Sequence, residues 1–334
     1  MASLAPQPPS PTLAHVRGVE DYWQRHTGRA PPRCGNEMAD RLLLDALGLG
    51  IEQTMTYVMH QRPDYASFEA WVFETVGVLD ADLIERYNAW VDGSPAPIAT
   101  LHRLAAIDAM PAVLDADDLA HWDEHGYVVL RAAISRSAAA DLEALLWQVV
   151  DARPDDPDSW YGARTNGIMI QHFQHPAQDV VRRSARVHKA FAQLWGTSDL
   201  WSSTDRMSFN PPERLGRKFP GPHLHWDVSI AQPIALGTQG ILYMTDTAAD
   251  QGALQLVPGF QHRIAAWLDQ LGGADPRQVD LSDQTITVPA NAGDLVIWRY
   301  DLPHGASPNR SDRPRMAQYA NMYAPHWVDN PVWL

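Results

Sequence analysis

The first third of the chain repeats apolar residues at helical spacing. In MADRLLLDALGLGIEQTMTYVMH, residues 38–60, Leu, Ile and Met recur every three or four positions, and FEAWVFETV and ADLIERYNAWV continue the pattern. This period places apolar side chains along one face of a helix. We therefore predict a helical N-terminal extension over residues 16–112. A Pro- and Ser-rich segment, residues 1–15, precedes it and is predicted to be disordered, and GSPAPIAT at 93–100 is predicted to be a linker.

The pattern changes after residue 112. LDADDLAHWDEHGYVVLRAAIS predicts a helix that begins near Asp115 or Asp117, followed by a short strand over Tyr127 to Leu130. SRSAAADLEALLWQVV predicts an amphipathic helix with a Ser cap. Beyond about residue 200, short β-rich segments separated by Gly, Pro and Asn predict strands of an antiparallel sandwich or barrel: MSFN, HLHWDVSI, QGILYMTD, ALQLVP, QTITVP, DLVIWRY and AQYANMY.

Composition and charge narrow the class of protein. Of 334 residues, 45% are hydrophobic, which is typical of a globular chain. The formal net charge of −14 argues against a nucleic-acid partner or an anionic membrane surface. We expect a cytoplasmic protein with a small-molecule substrate, because the sequence shows neither a signal peptide nor a long apolar run. Its single cysteine, Cys34, excludes an internal disulfide and a Cys-rich zinc site.

The segment HLHWD carries the first candidate chemistry. On a strand, residues two apart point to one face, so His223, His225 and Asp227 are predicted to share a face. This parity does not choose between the two histidines. A third ligand has to come from elsewhere, and His304 follows a strand and a Pro turn in GDLVIWRYDLPHGASPN. Two histidines and one carboxylate with open positions form the facial triad of non-heme Fe(II) oxygenases.

An iron oxygenase needs an electron source, and a 2-oxo acid that chelates the iron can supply electrons. Its distal carboxylate then needs a fixed cation, and the planar guanidinium of Arg grips a carboxylate with two hydrogen bonds. Arg310, Arg313 and Arg315 follow the candidate histidine. Arg315 is best placed to point inward, because it lies on the predicted strand that leads into Met316 to Tyr323.

With these residues in view, the chain from about 113 to 325 resembles the phytanoyl-CoA dioxygenase family of Fe(II)/2-oxoglutarate oxygenases. The resemblance is carried, in order, by EHGYVVLRAAIS, HWD, GALQLVPGFQH and GDLVIWRYDLPHGASPNRSDRPR. It implies a mainly β fold for residues 113–334, with a double-stranded β-helix (jelly-roll, cupin-like) core and helices packed on it. It also implies that His225, Asp227 and His304 bind Fe(II) and that Arg315 grips 2-oxoglutarate, with O2 as the oxidant.

The resemblance implies further site residues. Tyr243, Trp226 and Met207 are expected to line the co-substrate pocket. Two departures from the family pattern are PGFQH in place of the usual PGSH, and Ala306 where a small hydroxyl residue is common. Ser307, next to Ala306, is expected to supply that hydroxyl. The expected substrate contacts are Trp160, Tyr161, Gln171 and His223.

The resemblance implies a dioxygenase that oxidises an unactivated C–H bond of a small-molecule metabolite and releases succinate and CO2. Asp227 favours hydroxylation over halogenation, because related halogenases have a small residue in place of this carboxylate. Two alternatives are a cupin-like metal enzyme that does not use 2-oxoglutarate and a catalytically silent scaffold or sensor. The helical extension has no counterpart in the family core; it is expected either to cap the active site or to form a homodimer contact.

Overall fold

A computed structural model describes residues 12–32, 35, 37–165, 167–221, 224–327 and 330–334. The chain forms two compact units, one that ends at His102 and one from Arg103 to Leu334. The division therefore falls about ten residues before the boundary expected at residue 112. Within the described residues, no helix is both long and apolar enough to cross a membrane.

The described part of the first unit is built from helices: α1 (Val19–His26), α2 (Glu37–Leu47), α3 (Ile51–Gln61), α4 (Tyr65–Val76), α5 (Ala81–Val91) and the start of α6 (Ile98–Ala109). Asp64 and Asp80 begin α4 and α5 by accepting hydrogen bonds from the backbone N–H groups of the first turn. Helix α6 begins at Ile98, inside the segment predicted to be a linker. Leu13, predicted to be disordered, is instead fully buried, and its backbone N–H donates to Glu69 at 2.6 Å.

Five further α-helices are seen where the second unit is described: α7 (Ala116–His125), α8 (Arg136–Val150), α9 (Pro176–Arg182), α10 (Ala185–Trp195) and α11 (Ile264–Gln270). The Asp115 side chain accepts from the N–H of Asp118, and the Ser135 side chain accepts from the N–H of Ala138. These bonds satisfy backbone donors that a helix leaves unpaired in its first turn. Both predicted caps are confirmed.

Eleven short strands, all paired antiparallel, are found in the described part of the second unit. The main sheet has the order β1-β8-β5-β10-β4-β2, a second sheet has the order β7-β6-β9, and β3 pairs with β11. Their bounds are β1 (Tyr127–Leu130), β2 (Met169–Ile170), β3 (Trp201–Ser202), β4 (Met207–Asn210), β5 (Thr238–Tyr243), β6 (Leu254–Leu256), β7 (Ile286–Val288), β8 (Leu295–Arg299), β9 (His304–Ala306), β10 (Arg315–Tyr319) and β11 (Met322–Tyr323).

Antiparallel sheets combined with helices agree with the predicted class, but one predicted strand is wrong. In the described part of HLHWDVSI, only His225 pairs, through an isolated bridge to His304. The residues that follow find no neighbouring strand with which to continue the ladder. Strand parity therefore does not govern where the side chains after His225 point.

The two faces of the main sheet enter different cores. Alternate residues of β5, β8 and β10 pack against α8 and α10, and these include Leu242, Leu295, Ile297 and Met316. The intervening residues face the three-stranded sheet and form an inter-sheet core with it: Ile241, Tyr243, Val296, Trp298 and Ala317 meet Leu254, Leu256 and Val288. Because both faces are covered, consecutive residues of these strands are buried, and successive side chains enter opposite cores.

Gly240 lies at the centre of the main sheet, where the packing leaves no room for a side chain. A Cβ at Gly240 would lie 2.3 Å from the carbonyl oxygen of Ala320, whose N–H donates to the Gly240 carbonyl at 3.0 Å. Because backbone atoms cannot rotate away, we expect Gly240→Ala to lower the free energy of unfolding by roughly 1–3 kcal/mol in urea denaturation. Gly162→Ala is the matched control, because its Cβ would meet nothing within 4 Å. Equal stability of the two variants would contradict the packing.

Candidate metal centre

Three side chains of metal-binding type converge in the second unit. The ligand atoms of His225, Asp227 and His304 all lie within 4.8 Å of one another. Asp227 Oδ1 is 3.4 Å from His225 Nε2, and Asp227 Oδ2 is 3.3 Å from His304 Nε2. The structure thus brings together all three residues that the sequence predicted as a triad.

Backbone pairing holds the two histidines side by side. The N–H of His225 donates to the carbonyl of His304 at 2.9 Å, and the N–H of His304 donates to the carbonyl of His225 at 3.1 Å. On its other edge, β9 pairs with β6, where His304 lies opposite Leu256. The ligand segment therefore extends the three-stranded sheet by one residue, and the imidazole rings lie 4.8 Å apart.

The ring of His304 is held in one orientation. Its Nδ1 is 3.0 Å from the carbonyl oxygen of Leu302, and the ring of Trp298 lies 5.1 Å away. A carbonyl oxygen only accepts, so Nδ1 carries the proton and donates it. In the neutral imidazole, Nε2 then presents a lone pair to the Asp227 carboxylate. Two lone pairs that face each other repel unless a proton or a metal cation lies between them, and a divalent metal fits this donor set.

Asp227 is ionised in this setting. Burial opposes its charge and raises its pKa, but the neighbouring imidazoles of His225 and His304 outweigh this effect and hold the pKa well below its usual range. The Asp227 side chain keeps 47% of its surface exposed, so one side of the centre is open. Gln239 also donates a hydrogen bond from Nε2 to Asp227 Oδ2.

Arg315 supplies the predicted cation. It is the first residue of β10 and only 1% exposed, and it shares a face with Ala317 of the inter-sheet core. Its Nε donates to the Gly252 carbonyl at 3.1 Å, while Nη1 is buried and has no hydrogen-bond partner among the described residues. An unpartnered buried guanidinium N–H is costly, so this position fits a carboxylate.

Tyr243 lies near Arg315 on the same side of the main sheet, opposite Ala317. Its hydroxyl donates to the Val288 carbonyl at 3.1 Å and accepts from the Leu254 N–H at 2.9 Å. Burial raises the pKa of Tyr243 to about 12. The neutral phenol thus joins β5 to both β6 and β7, and its hydroxyl is already engaged.

Ser307 is buried, and its hydroxyl donates to the carbonyl of Ala253 at 2.9 Å. The sequence did not single out Asn210, which lies directly opposite Arg315 and donates to the Ser307 carbonyl at 3.1 Å. A Cβ at Gly252 would come within 2.4 Å of Asn210 Nδ2. The Gly in the GALQLVP motif therefore allows β6 to approach the residue that faces Arg315.

Three residues that were expected to line the co-substrate pocket or to contact the substrate pack in apolar cores. Met207 pairs with Gln318, not with Arg315, and packs in the core under the helices. Trp226 packs between Phe260 and Trp267, with ring centroids 5.9 Å from each, and donates to the Asp301 carbonyl. Trp160 also packs in the helix-side core, and its indole N–H donates to the Arg153 carbonyl at 2.8 Å. The structure therefore gives all three packing roles.

The other expected substrate contacts have varied positions. Tyr161 is partly exposed, donates to the Pro212 carbonyl at 2.9 Å and stacks under the guanidinium of Arg214 at 3.5 Å. Gln171 is exposed just after β2 and stays a prediction. His223 lies outside the described residues.

The model of the phytanoyl-CoA dioxygenase (PhyH) family matches residues 122–317. A putative phytanoyl-CoA dioxygenase of Dictyostelium discoideum is 19% identical over 269 residues, which cover 63% of this chain and 75% of that protein.

Two solved structures are similar at a distance. The non-heme alpha ketoglutarate dependent epimerase SnoN from nogalamycin biosynthesis is 16% identical over 66% of this chain and 84% of its own, with a TM-score of 0.46. EctD from S. alaskensis with bound Fe is 18% identical over 65% and 79%, also with a TM-score of 0.46.

The family match covers more than half of the chain and includes the candidate triad and Arg315. It confirms the resemblance that the sequence motifs indicate. The chain belongs to the phytanoyl-CoA dioxygenase (PhyH) family.

Proposed function

We propose that this protein is an Fe(II)- and 2-oxoglutarate-dependent dioxygenase that hydroxylates an unactivated C–H bond of a small-molecule metabolite. The observation that carries this proposal is the unpartnered, buried Nη1 of Arg315 in the same unit as the triad. The triad alone is compatible with many metal enzymes, whereas a buried guanidinium N–H group without a partner among the described residues fits an anionic co-substrate. Membership of the PhyH family supports the same class.

The triad and Arg315 have separate proposed roles. His225, Asp227 and His304 would hold Fe(II), which together with 2-oxoglutarate and O2 supplies the chemistry that releases succinate and CO2 and oxidises a substrate carbon. Arg315 would orient the distal carboxylate of 2-oxoglutarate through a charge-assisted hydrogen bond. The apolar inter-sheet core excludes water around Arg315, which strengthens its electrostatic interactions.

The alternatives explain fewer of the observations. A cupin-like enzyme that does not use 2-oxoglutarate has no need for Arg315 as a buried cation, and a silent scaffold has no need for an oriented triad. Asp227 supports hydroxylation over halogenation, because its carboxylate fills the position that a halide would need. We further infer that the main sheet and the three-stranded sheet form a double-stranded β-helix, with α8 and α10 packed on the outer face.

The proposal predicts turnover of 2-oxoglutarate by the purified protein. With Fe(II), 2-oxoglutarate and O2, we expect succinate release above an iron-free control, and a further increase with a true substrate in a panel of small metabolites. Succinate is measured by mass spectrometry. Absence of succinate with every substrate, together with no binding of 2-oxoglutarate, would rule out the dioxygenase.

Asp227→Ala removes the anionic ligand while leaving both histidines paired through their backbones. We expect this variant to bind Fe(II) poorly and to release succinate only at the level of the iron-free control, with an unchanged far-UV circular dichroism spectrum. Metal content after dialysis and succinate release are measured together. Wild-type iron content and turnover in this variant would show that Asp227 is not a ligand.

Arg315→Met preserves much of the side-chain volume but removes the cation. A charge-assisted hydrogen bond of roughly 1.5–3 kcal/mol corresponds to a rise of about 10- to 100-fold in the KM for 2-oxoglutarate. The KM for the substrate should change much less. Arg310→Met is the matched control, because Arg310 is exposed. Equal increases in both KM values would indicate that Arg315 has only a structural role.

A further inference from the structure

Gln239 occupies an unusual place next to the triad. It is the second residue of β5, directly opposite Trp298 on β8. Residues at alternate positions on β5, Ile241 and Tyr243, belong to the inter-sheet core, so Gln239 projects to the same side. There its amide contacts a candidate metal ligand and a buried indole at once.

The two bonds of Gln239 fix which way its amide points. Trp298 Nε1 donates to Gln239 Oε1 at 3.1 Å, and Gln239 Nε2 donates to Asp227 Oδ2. An indole N–H can only donate, and an ionised carboxylate can only accept. A side chain that joins them needs an acceptor on one side and a donor on the other, which an amide provides.

Trp298 links this contact to a second ligand. Its indole is buried, and its ring lies 5.1 Å from the ring of His304. The hydrogen-bonded series Trp298–Gln239–Asp227 therefore contacts two of the three candidate ligands from the main sheet, namely Asp227 and His304. The ligands themselves lie on the other side of the inter-sheet core. We call Trp298, Gln239 and Asp227 the amide clamp.

We propose that Gln239 is a positioning residue that holds Asp227 as a one-oxygen metal ligand. The hydrogen bond to Oδ2 opposes rotation of the carboxylate and occupies one of its two oxygens. Coordination by a single oxygen leaves more positions on the metal for a co-substrate and for oxygen. This inference rests on the proposed metal centre and extends it to residues outside the triad.

The test measures metal binding rather than turnover. Co(II) is titrated into the metal-free full-length protein by calorimetry, and the visible absorption of the Co(II)-loaded protein is recorded as a signature of its coordination. Partners that orient metal ligands commonly change affinity by about 10- to 100-fold when they are removed. We expect Gln239→Leu to weaken Co(II) binding by this amount and to alter the Co(II) spectrum.

Gln255→Leu is the matched control. Gln255 lies in the three-stranded sheet and donates to the Ala306 carbonyl at 3.2 Å, close in sequence to His304. This variant should bind Co(II) with the wild-type affinity and spectrum.

Trp298→Phe keeps an aromatic ring beside His304 but removes the indole N–H that anchors the Gln239 amide. It should shift the Co(II) spectrum in the same direction as Gln239→Leu and weaken Co(II) binding less than Gln239→Leu does.

The outcomes separate the clamp from the metal centre. If the wild type and Gln239→Leu bind Co(II) with the same affinity and spectrum, the positioning role is overturned while the metal centre stands. If Gln255→Leu and Gln239→Leu weaken binding equally, the effect comes from general loosening of the fold and the positioning role is also overturned. If the wild type binds no Co(II), both the clamp and the proposed function fail.

Discussion

Two backbone hydrogen bonds between His225 and His304 are the constraint on which the candidate centre depends. They join positions 79 residues apart and fix the separation of two imidazole rings without using either ring. Since β9 is paired with β6 on its other edge, His225 and His304 are held as part of a hydrogen-bonded sheet. The open side of Asp227 then gives access to a centre whose backbone is already fixed.

The second constraint is the division of the main sheet into two faces. One face packs under helices, and the other faces the sheet that bears His304. Successive apolar side chains of β5, β8 and β10 therefore enter the helix-side core and the inter-sheet core in turn. Arg315, Tyr243 and Gln239 fall on the inner face. A polar group on that face is costly unless it has a partner, which is why the lone Nη1 of Arg315 is so informative.

Local signals in the sequence predicted the local features well. The caps at Asp115 and Ser135 depend on neighbours in the chain, and the structure agrees. The strand Tyr127–Leu130 was also predicted, although it pairs with the distant β8. The triad and Arg315 were found because their residue types and order carry specific chemistry. Features that depend on pairing between distant segments were less accessible. In the described part of HLHWDVSI only His225 pairs with another segment, and Met207 faces the helices because of its register with β10. Gln239 was missed because its partner, Asp227, belongs to a segment outside the main sheet.

We propose that Fe(II) and 2-oxoglutarate bind together between the triad and Arg315. It is tested most directly by anaerobic titration of 2-oxoglutarate into the Fe(II)-loaded protein, followed by visible absorption. A keto acid that chelates Fe(II) produces a charge-transfer band. We expect this band to appear in the wild type and to saturate at one equivalent of 2-oxoglutarate. No band at saturating 2-oxoglutarate, in protein that demonstrably holds Fe(II), would contradict it.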